Sequence, residues 1–301
     1  MDKRIAILMC TYNGERFIEE QIKSLANQTY KNFKLFISDD GSSDNTIEII
    51  KECAKKYKFI NKIYNSNFKS FTKNFQFLIS KVPDDYDYYG FCDQDDIWLK
   101  EKIQHALKCC ENGNDLYCSR TILVNDQKKR IGYSPNFKKK KIFENAIMQS
   151  IAGANTMLIK KNLFSKLKEY TNFEIISHDW WAYIIATFFN FKVFYDKQSF
   201  ILYRQHGQNL IGKNTGLIAS LRRFKSAYDG QLNTWTRLHL ENLLKIGQKS
   251  ENYQKILILN NLYKEKKIFN KIKIFYKNKF FRQTLKGQLG LYFLILAGRY
   301  L

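Results

Sequence analysis

Asp93-Gln94-Asp95-Asp96 follows the apolar run Tyr88-Tyr89-Gly90-Phe91-Cys92 and precedes Ile97-Trp98. Carboxylates at i and i+2 directly after a buried strand repel each other unless a cation sits between them. Mg²⁺ or Mn²⁺ fills that role with only one or two protein carboxylates when a diphosphate supplies the remaining oxygens. The same residues would also serve as an acidic cap for a helix starting near Trp98, since Asp is a good N-cap. Two further polar clusters, Thr11-Tyr12-Asn13-Gly14 and Asp39-Asp40-Gly41-Ser42-Ser43-Asp44-Asn45-Thr46, favour the first reading.

The elements that must position these clusters alternate over the first 120 residues. Strands are expected over 5–10, 33–38, 62–65 and 86–92, and amphipathic helices over 15–26, 44–57 and 70–79. That β-α order implies a parallel sheet with helices on both faces. All three polar clusters then fall at carboxyl ends of strands, where ligands bind in such sheets. Further on, 116–124 and 154–159 read as strands, a helix begins at Ser177-His178-Asp179, and 191–195 precedes Tyr203-Arg204-Gln205-His206-Gly207-Gln208-Asn209. After Gly216 the chain reads as helical, basic and aromatic.

Gly41 permits a tight turn, and Ser43 or Asp44 can cap the helix after it. Capping leaves Asp39 and Asp40 unexplained. A carboxylate at that strand tip can accept the imide N3–H of uracil or thymine, and Thr11 and Tyr12 can offer the same base a hydroxyl and a ring.

These three motifs together resemble glycosyltransferase family 2, with its Rossmann-like GT-A nucleotide-sugar fold, over about residues 3–212. The resemblance implies that Thr11, Tyr12, Asn13, Asp39, Asp40, Gln94 and Arg204 bind the donor. It makes Asp93 and Asp95 the DXD pair that meets donor and metal (Mn²⁺ or Mg²⁺), with His206 as a further metal ligand and Arg204 neutralising phosphate charge. Asp179 stands where the family keeps its general base for inverting transfer; it is also well placed merely to cap its helix. His178 departs from a common Glu-Asp pattern. Trp180 and Trp181 are read as sugar platforms or core, and Gly153 as a point of close backbone approach to donor or acceptor. The Asp93–Trp98 and Tyr203–Asn209 runs are similar to the rhamnosyltransferase branch. That similarity implies a dTDP-L-rhamnose donor, with UDP-hexose or UDP-N-acetylhexosamine as the alternative, and a lipid-linked saccharide acceptor in surface polysaccharide synthesis.

The 301 residues, 45% hydrophobic and 26% charged, fit a large domain with an appendage: a GT-A domain over 1–212, in halves 1–120 and 121–212, and a basic helical region over 213–301. Net charge is +22, and residues 213–301 hold 18 Lys+Arg against 4 Asp+Glu, so +14 of it lies there. Segments such as Leu221-Arg222-Arg223-Phe224-Lys225 mix cations with apolar residues, as helices at an anionic membrane surface do. No export signal or spanning stretch of roughly 20 apolar residues is visible. The six cysteines lack CxxC spacing and read as reduced thiols. The expected place is therefore the cytoplasm, peripheral to the inner face of the membrane. A nucleic-acid binder would account for the basic charge but not for three acidic strand tips, which repel phosphate without metal. A sugar-nucleotide pyrophosphorylase would carry a Gly-rich, Arg-containing loop where this chain has Cys10–Gly14.

Overall fold

The computed structural model describes residues 2–205 and 217–301. Its first part runs β1 (Ile5–Thr11), α1 (Ile18–Ala26), β2 (Phe33–Asp39), α2 (Thr46–Lys56), β3 (Ile60–Asn65), α3 (Phe71–Lys81), β4 (Tyr88–Cys92), β5 (Ile97–Trp98) and α4 (Lys102–Glu111). Then come β6 (Leu116–Ser119), β7 (Ile122–Val124), β8 (Arg130–Tyr133), α5 (Phe143–Ala146), a 3-10 turn at Ala154–Thr156, β9 (Leu158–Lys160), α6 (Lys161–Lys168), α7 (His178–Phe188), β10 (Val193–Asp196) and β11 (Ile201–Arg204). Five helices follow: α8 (Leu217–Tyr228), α9 (Gln231–Ile246), α10 (Tyr253–Leu262), α11 (Ile268–Lys277) and α12 (Leu285–Leu296).

The main sheet has seven strands in the order β10-β6-β9-β4-β1-β2-β3. It is parallel except for β9, which runs against both its neighbours. Alternating residues of β1 serve two cores: Ile5, Ile7 and Met9 pack with α1, α2 and α4, while Ala6, Leu8 and Cys10 face α3, α6 and α7. The second core continues into the C-terminal helices through Leu240, Leu243, Ile256, Leu259, Phe275, Leu291 and Ile295. Helices α9, α10 and α12 therefore share a core with α7. The boundary expected at 212–213 lies outside the described residues.

Three local expectations change. Residues 116–124 form two strands in different sheets, because the chain turns at Arg120-Thr121, where Arg120 Nε donates to Ser134 O at 2.8 Å and Thr121 N to Ser134 Oγ at 2.9 Å. Residues 154–159 open as a 3-10 turn before β9 begins. Ile97–Trp98 pairs with β11 in the smaller sheet β5-β11-β7-β8, and the next helix starts only at Lys102, so the acidic loop caps no helix at Trp98.

Candidate active site

Strands β4, β1 and β2 are neighbours in the sheet, so the three polar clusters meet on one rim. The loop after β1 is held by its own side chains. Thr11 Oγ1 donates to Asp39 Oδ2 at 2.8 Å, Asn13 N donates to Ser42 Oγ at 2.9 Å, and Asn13 Oδ1 accepts from Ser43 N at 2.9 Å. Tyr12 N donates to Gln94 Oε1 at 2.9 Å while Gln94 Nε2 donates back to Tyr12 O at 3.0 Å. A Cβ on Gly14 would lie 2.3 Å from Gln94 Oε1, so glycine is required there for this clasp. Thr11, Asn13 and Gln94, expected to touch donor, bind the loops after β1, β2 and β4 to one another.

Asp39 and Asp40 divide similarly. Asp39 accepts from Gly41 N, Ser42 N, Ser42 Oγ and Thr11 Oγ1, which fills about four lone-pair positions of a carboxylate. Asp39 therefore holds the turn, which Gly41 closes at φ 77°. Asp40 accepts from Phe68 N at 2.5 Å, Ser66 Oγ at 3.2 Å and Ser70 N at 2.9 Å, leaving one acceptor position on Oδ2. Sequence reasoning missed this third loop, 66–71, at the carboxyl end of β3. Its Phe68 and Phe71 are exposed, as is Tyr12, whose ring centre lies 5.1 Å from Lys69 Nζ. The signal was present as aromatics alternating with polar residues at a strand tip.

On the β4 tip, Asp93 and Asp95 are half-buried and Asp96 is buried. Burial, then the charges of Asp95 and Asp179, push the Asp93 carboxyl up to about 8. Asp96 is pushed up by burial and by the charges of Asp95 and Asp93 on its own loop, against hydrogen bonds from Asn155 Nδ2 and Arg204 N. Arg204 is buried: its Nε donates to Asp95 O at 3.1 Å, Nη1 to Asp126 O at 3.2 Å, and Nη2 to Glu20 Oε2 at 2.6 Å. Burial works against ionised Glu20, but hydrogen bonds from Lys128 and Arg204 outweigh it and hold its pKa below the ordinary value. Arg204 thus supports the acidic loop from behind. Gly153 has an ordinary φ of −74°; a Cβ there would lie 2.8 Å from Asn155 Oδ1. The Asn155 side chain that grips Asp96 is what lies closest to Gly153.

Asp179, in the first turn of α7, is half-buried, and its charge reaches Asp93. Its Oδ1 accepts from Trp180 N at 2.7 Å, and burial raises its pKa despite that bond. His178 is stacked on Phe75 at 3.9 Å, with its pKa lowered to about 3 by burial, so it is a neutral core ring. Trp180 and Trp181 are buried too. Trp180 Nε1 donates to Ala146 O at 2.7 Å, and its ring meets Trp235 edge-on at 5.9 Å. Neither indole is available as a sugar platform. His206 lies outside the described residues.

Half-buried carboxylates set two residues apart on one loop, with oxygen as their donor atom, suit Mg²⁺ or Mn²⁺ when a diphosphate completes the shell. Asp93 and Asp95 would hold that ion.

The model of glycosyl transferase family 2 matches residues 6–184, which takes in all three strand tips and Asp179. The chain belongs to glycosyl transferase family 2. A dTDP-rhamnosyl transferase, RfbG, of Shigella flexneri is 34% identical over 232 residues, covering 71% of this chain and 77% of that protein. Among solved structures, S. aureus TarS 1-349 in complex with UDP-GlcNAc superposes with a TM-score of 0.57 at 16% identity, over 98% of this chain and 88% of that one. The mannosyltransferase PcManGT of Pyrobaculum calidifontis, in complex with GDP-Man and Mn²⁺, gives 0.56 at 12% identity, over 92% and 74%. The fold is therefore that of the GT-A glycosyltransferases, with one antiparallel strand in the sheet, and the chain is a glycosyltransferase of this family.

The Gln94–Tyr12 clasp yields a prediction. Gly14→Ala displaces Gln94 and removes two hydrogen bonds of roughly 1 kcal/mol each. Nucleotide affinity, measured by calorimetry, should fall by about tenfold or more, and Gln94→Ala should match it. Unchanged affinity in both variants would show that the clasp does not shape the site.

Proposed function

We propose that this family 2 enzyme transfers L-rhamnose with inversion from dTDP-L-rhamnose to a hydroxyl of a lipid-linked saccharide, in surface polysaccharide synthesis. The observation that carries the reaction type is the meeting of Asp93, Asp95 and Asp179 from β4 and α7 in one mutually repelling group. The sugar rests on the similarity to the S. flexneri dTDP-rhamnosyl transferase. A UDP-hexose or UDP-N-acetylhexosamine donor is the competing reading.

The remaining acceptor position on Asp40 Oδ2 takes the N3–H of thymine, beside the exposed rings of Tyr12 and Phe68. Asp93 and Asp95 hold a divalent ion, which when bound offsets the charge of the diphosphate. Asp179 faces the sugar from the acceptor side. The acceptor oxygen attacks the anomeric carbon, the bond from that carbon to the diphosphate oxygen breaks with its electron pair, and the hydroxyl proton passes to Asp179 Oδ2. Burial raises the Asp179 pKa, which makes it a better proton acceptor once the donor is in place. His178, packed on Phe75, fixes the start of α7 and so the aim of its neighbour.

The acceptor's lipid places the enzyme on an anionic membrane surface at the cytoplasmic face. No helix among the described residues is long and apolar enough to cross a membrane. Helix α12 carries Leu285, Leu289, Phe293 and Leu296, all exposed, at spacings that form one stripe. Beside it, α8 exposes Leu221 and Phe224, with Phe224 5.7 Å from Phe293, among Arg222, Arg223 and Lys225. Apolar residues flanked by cations match an anionic lipid interface.

Two measurements test this reading. Asp179→Asn should keep nucleotide-sugar binding while transfer falls by about 10²–10⁴-fold, the usual contribution of a general base; substantial residual transfer would make Asp179 a helix cap. The same assay with dTDP-rhamnose and UDP-sugars identifies the donor. Leu285→Glu combined with Leu289→Glu, both at exposed positions, should abolish co-sedimentation with phosphatidylglycerol vesicles and leave the melting temperature unchanged. Full retention on vesicles would move the docking surface elsewhere.

A further inference from the structure

Away from the acidic rim, α4 places His105 and Cys109 four residues apart on one helix face. Opposite them is Asp196, the last residue of the edge strand β10. His105 Nε2 lies 2.7 Å from Asp196 Oδ2 and 3.6 Å from Cys109 Sγ, and the three ligand atoms are all within 4.8 Å of one another. We propose that His105, Cys109 and Asp196 bind a zinc-class divalent cation that ties α4 to the β10–β11 connection.

The geometry separates this from other uses of the same residue types. A Cys-His-Asp proton relay needs the thiol and the carboxylate on opposite nitrogens of the imidazole. Here both meet Nε2, so no relay is possible, whereas three donor atoms converging on one point are what a metal requires. Nitrogen, sulfur and carboxylate oxygen together are a ligand set suited to zinc, with distances of roughly 2.0–2.3 Å to each. Admitting such an ion opens the 2.7 Å contact between His105 Nε2 and Asp196 Oδ2 to about 3.3 Å, the ligand separation of a tetrahedral site. The surroundings already orient the ligands. Gln198 N donates to Asp196 Oδ1 at 2.9 Å, Tyr117 Oη donates to Asp196 Oδ2 at 3.3 Å, and the Phe200 ring stacks on His105 at 4.4 Å. Such partners hold metal ligands in place and tune their basicity.

Asp196 is buried while His105 and Cys109 are half-exposed, so a fourth coordination position opens toward solvent. The other five cysteines are buried, which leaves Cys109 as the thiol with access. Strands β9 and β6 stand between β10 and β4, so the site lies about 14 Å from the acidic rim at roughly 4.8 Å per strand. It is independent of the donor site and of the function proposed above.

Cobalt(II) is the probe, because a thiolate ligand gives it a sulfur-to-metal charge-transfer band in the near ultraviolet. Titrating the full metal-free chain should develop that band to saturation at one equivalent, and zinc should abolish it by displacement. The band should vanish in Cys109→Ser, need at least about tenfold more cobalt in His105→Gln, and persist in Asp95→Ala, whose change lies in the other site. Zinc should also raise the melting temperature of the native chain but not of Cys109→Ser. Absence of the band, or its survival in Cys109→Ser, would overturn the proposal.

Discussion

The carboxylate of Asp96 is the fixed point around which the active-site rim is organised. It is buried and accepts from Asn155 Nδ2 and from the backbone of Arg204. Through these bonds it joins the β4 tip, the 3-10 turn before β9, and the end of β11. Arg204 then reaches under the loop to Asp95 O and on to Glu20 of α1. Lys102 is buried nearby with its Nζ 3.4 Å from the Trp98 ring centre, and burial lowers its pKa to about 7 despite the Cys92 and Asp96 charges. Removing one partner and leaving the other buried group without its hydrogen bond costs about 1–3 kcal/mol.

That arrangement explains how half-buried Asp93 and Asp95 can persist beside Asp179. Without bracing, a loop carrying three carboxylates would swing toward water. Held from behind, it keeps two of them facing the cleft, where the repulsion appears as the raised Asp93 pKa. An ionised Asp93 is therefore unfavourable in the folded chain. Its contribution to stability is present at low pH and is lost as pH rises through about 8, and a cation between the carboxylates reverses that loss. A cation at the site proposed above would bind more weakly as protons compete for Asp93 below that pH.

The alternation of β-rich and amphipathic runs made the first half of the sheet legible, because parallel strands buried on both faces leave near-continuous apolar runs such as Ile5–Thr11. The strand-tip motifs were legible for the same reason. The antiparallel β9 and the split at Arg120 were not, since a short apolar run carries neither its direction nor its sheet. Within the motifs, residue type did not distinguish ligand from brace: Asp39 and Asp40 are adjacent acids, yet the first is saturated by its own turn and the second is not. Tryptophans after Asp179 were readable as platforms or core, and only the packing against Trp235, His239 and Phe173 decided it. Loop 66–71 and the His105 group went unseen because they depend on contacts between segments distant in sequence.

The most direct measurement is the affinity for Mn²⁺, read from the paramagnetic resonance signal of the free ion, with and without dTDP. If the acidic rim is completed by a metal–diphosphate, the nucleotide tightens Mn²⁺ binding by about tenfold or more, roughly 1.4 kcal/mol of coupling. Asp95→Asn then loses that coupling. Equal Mn²⁺ affinity in the two titrations, with dTDP bound regardless of the ion, would contradict it.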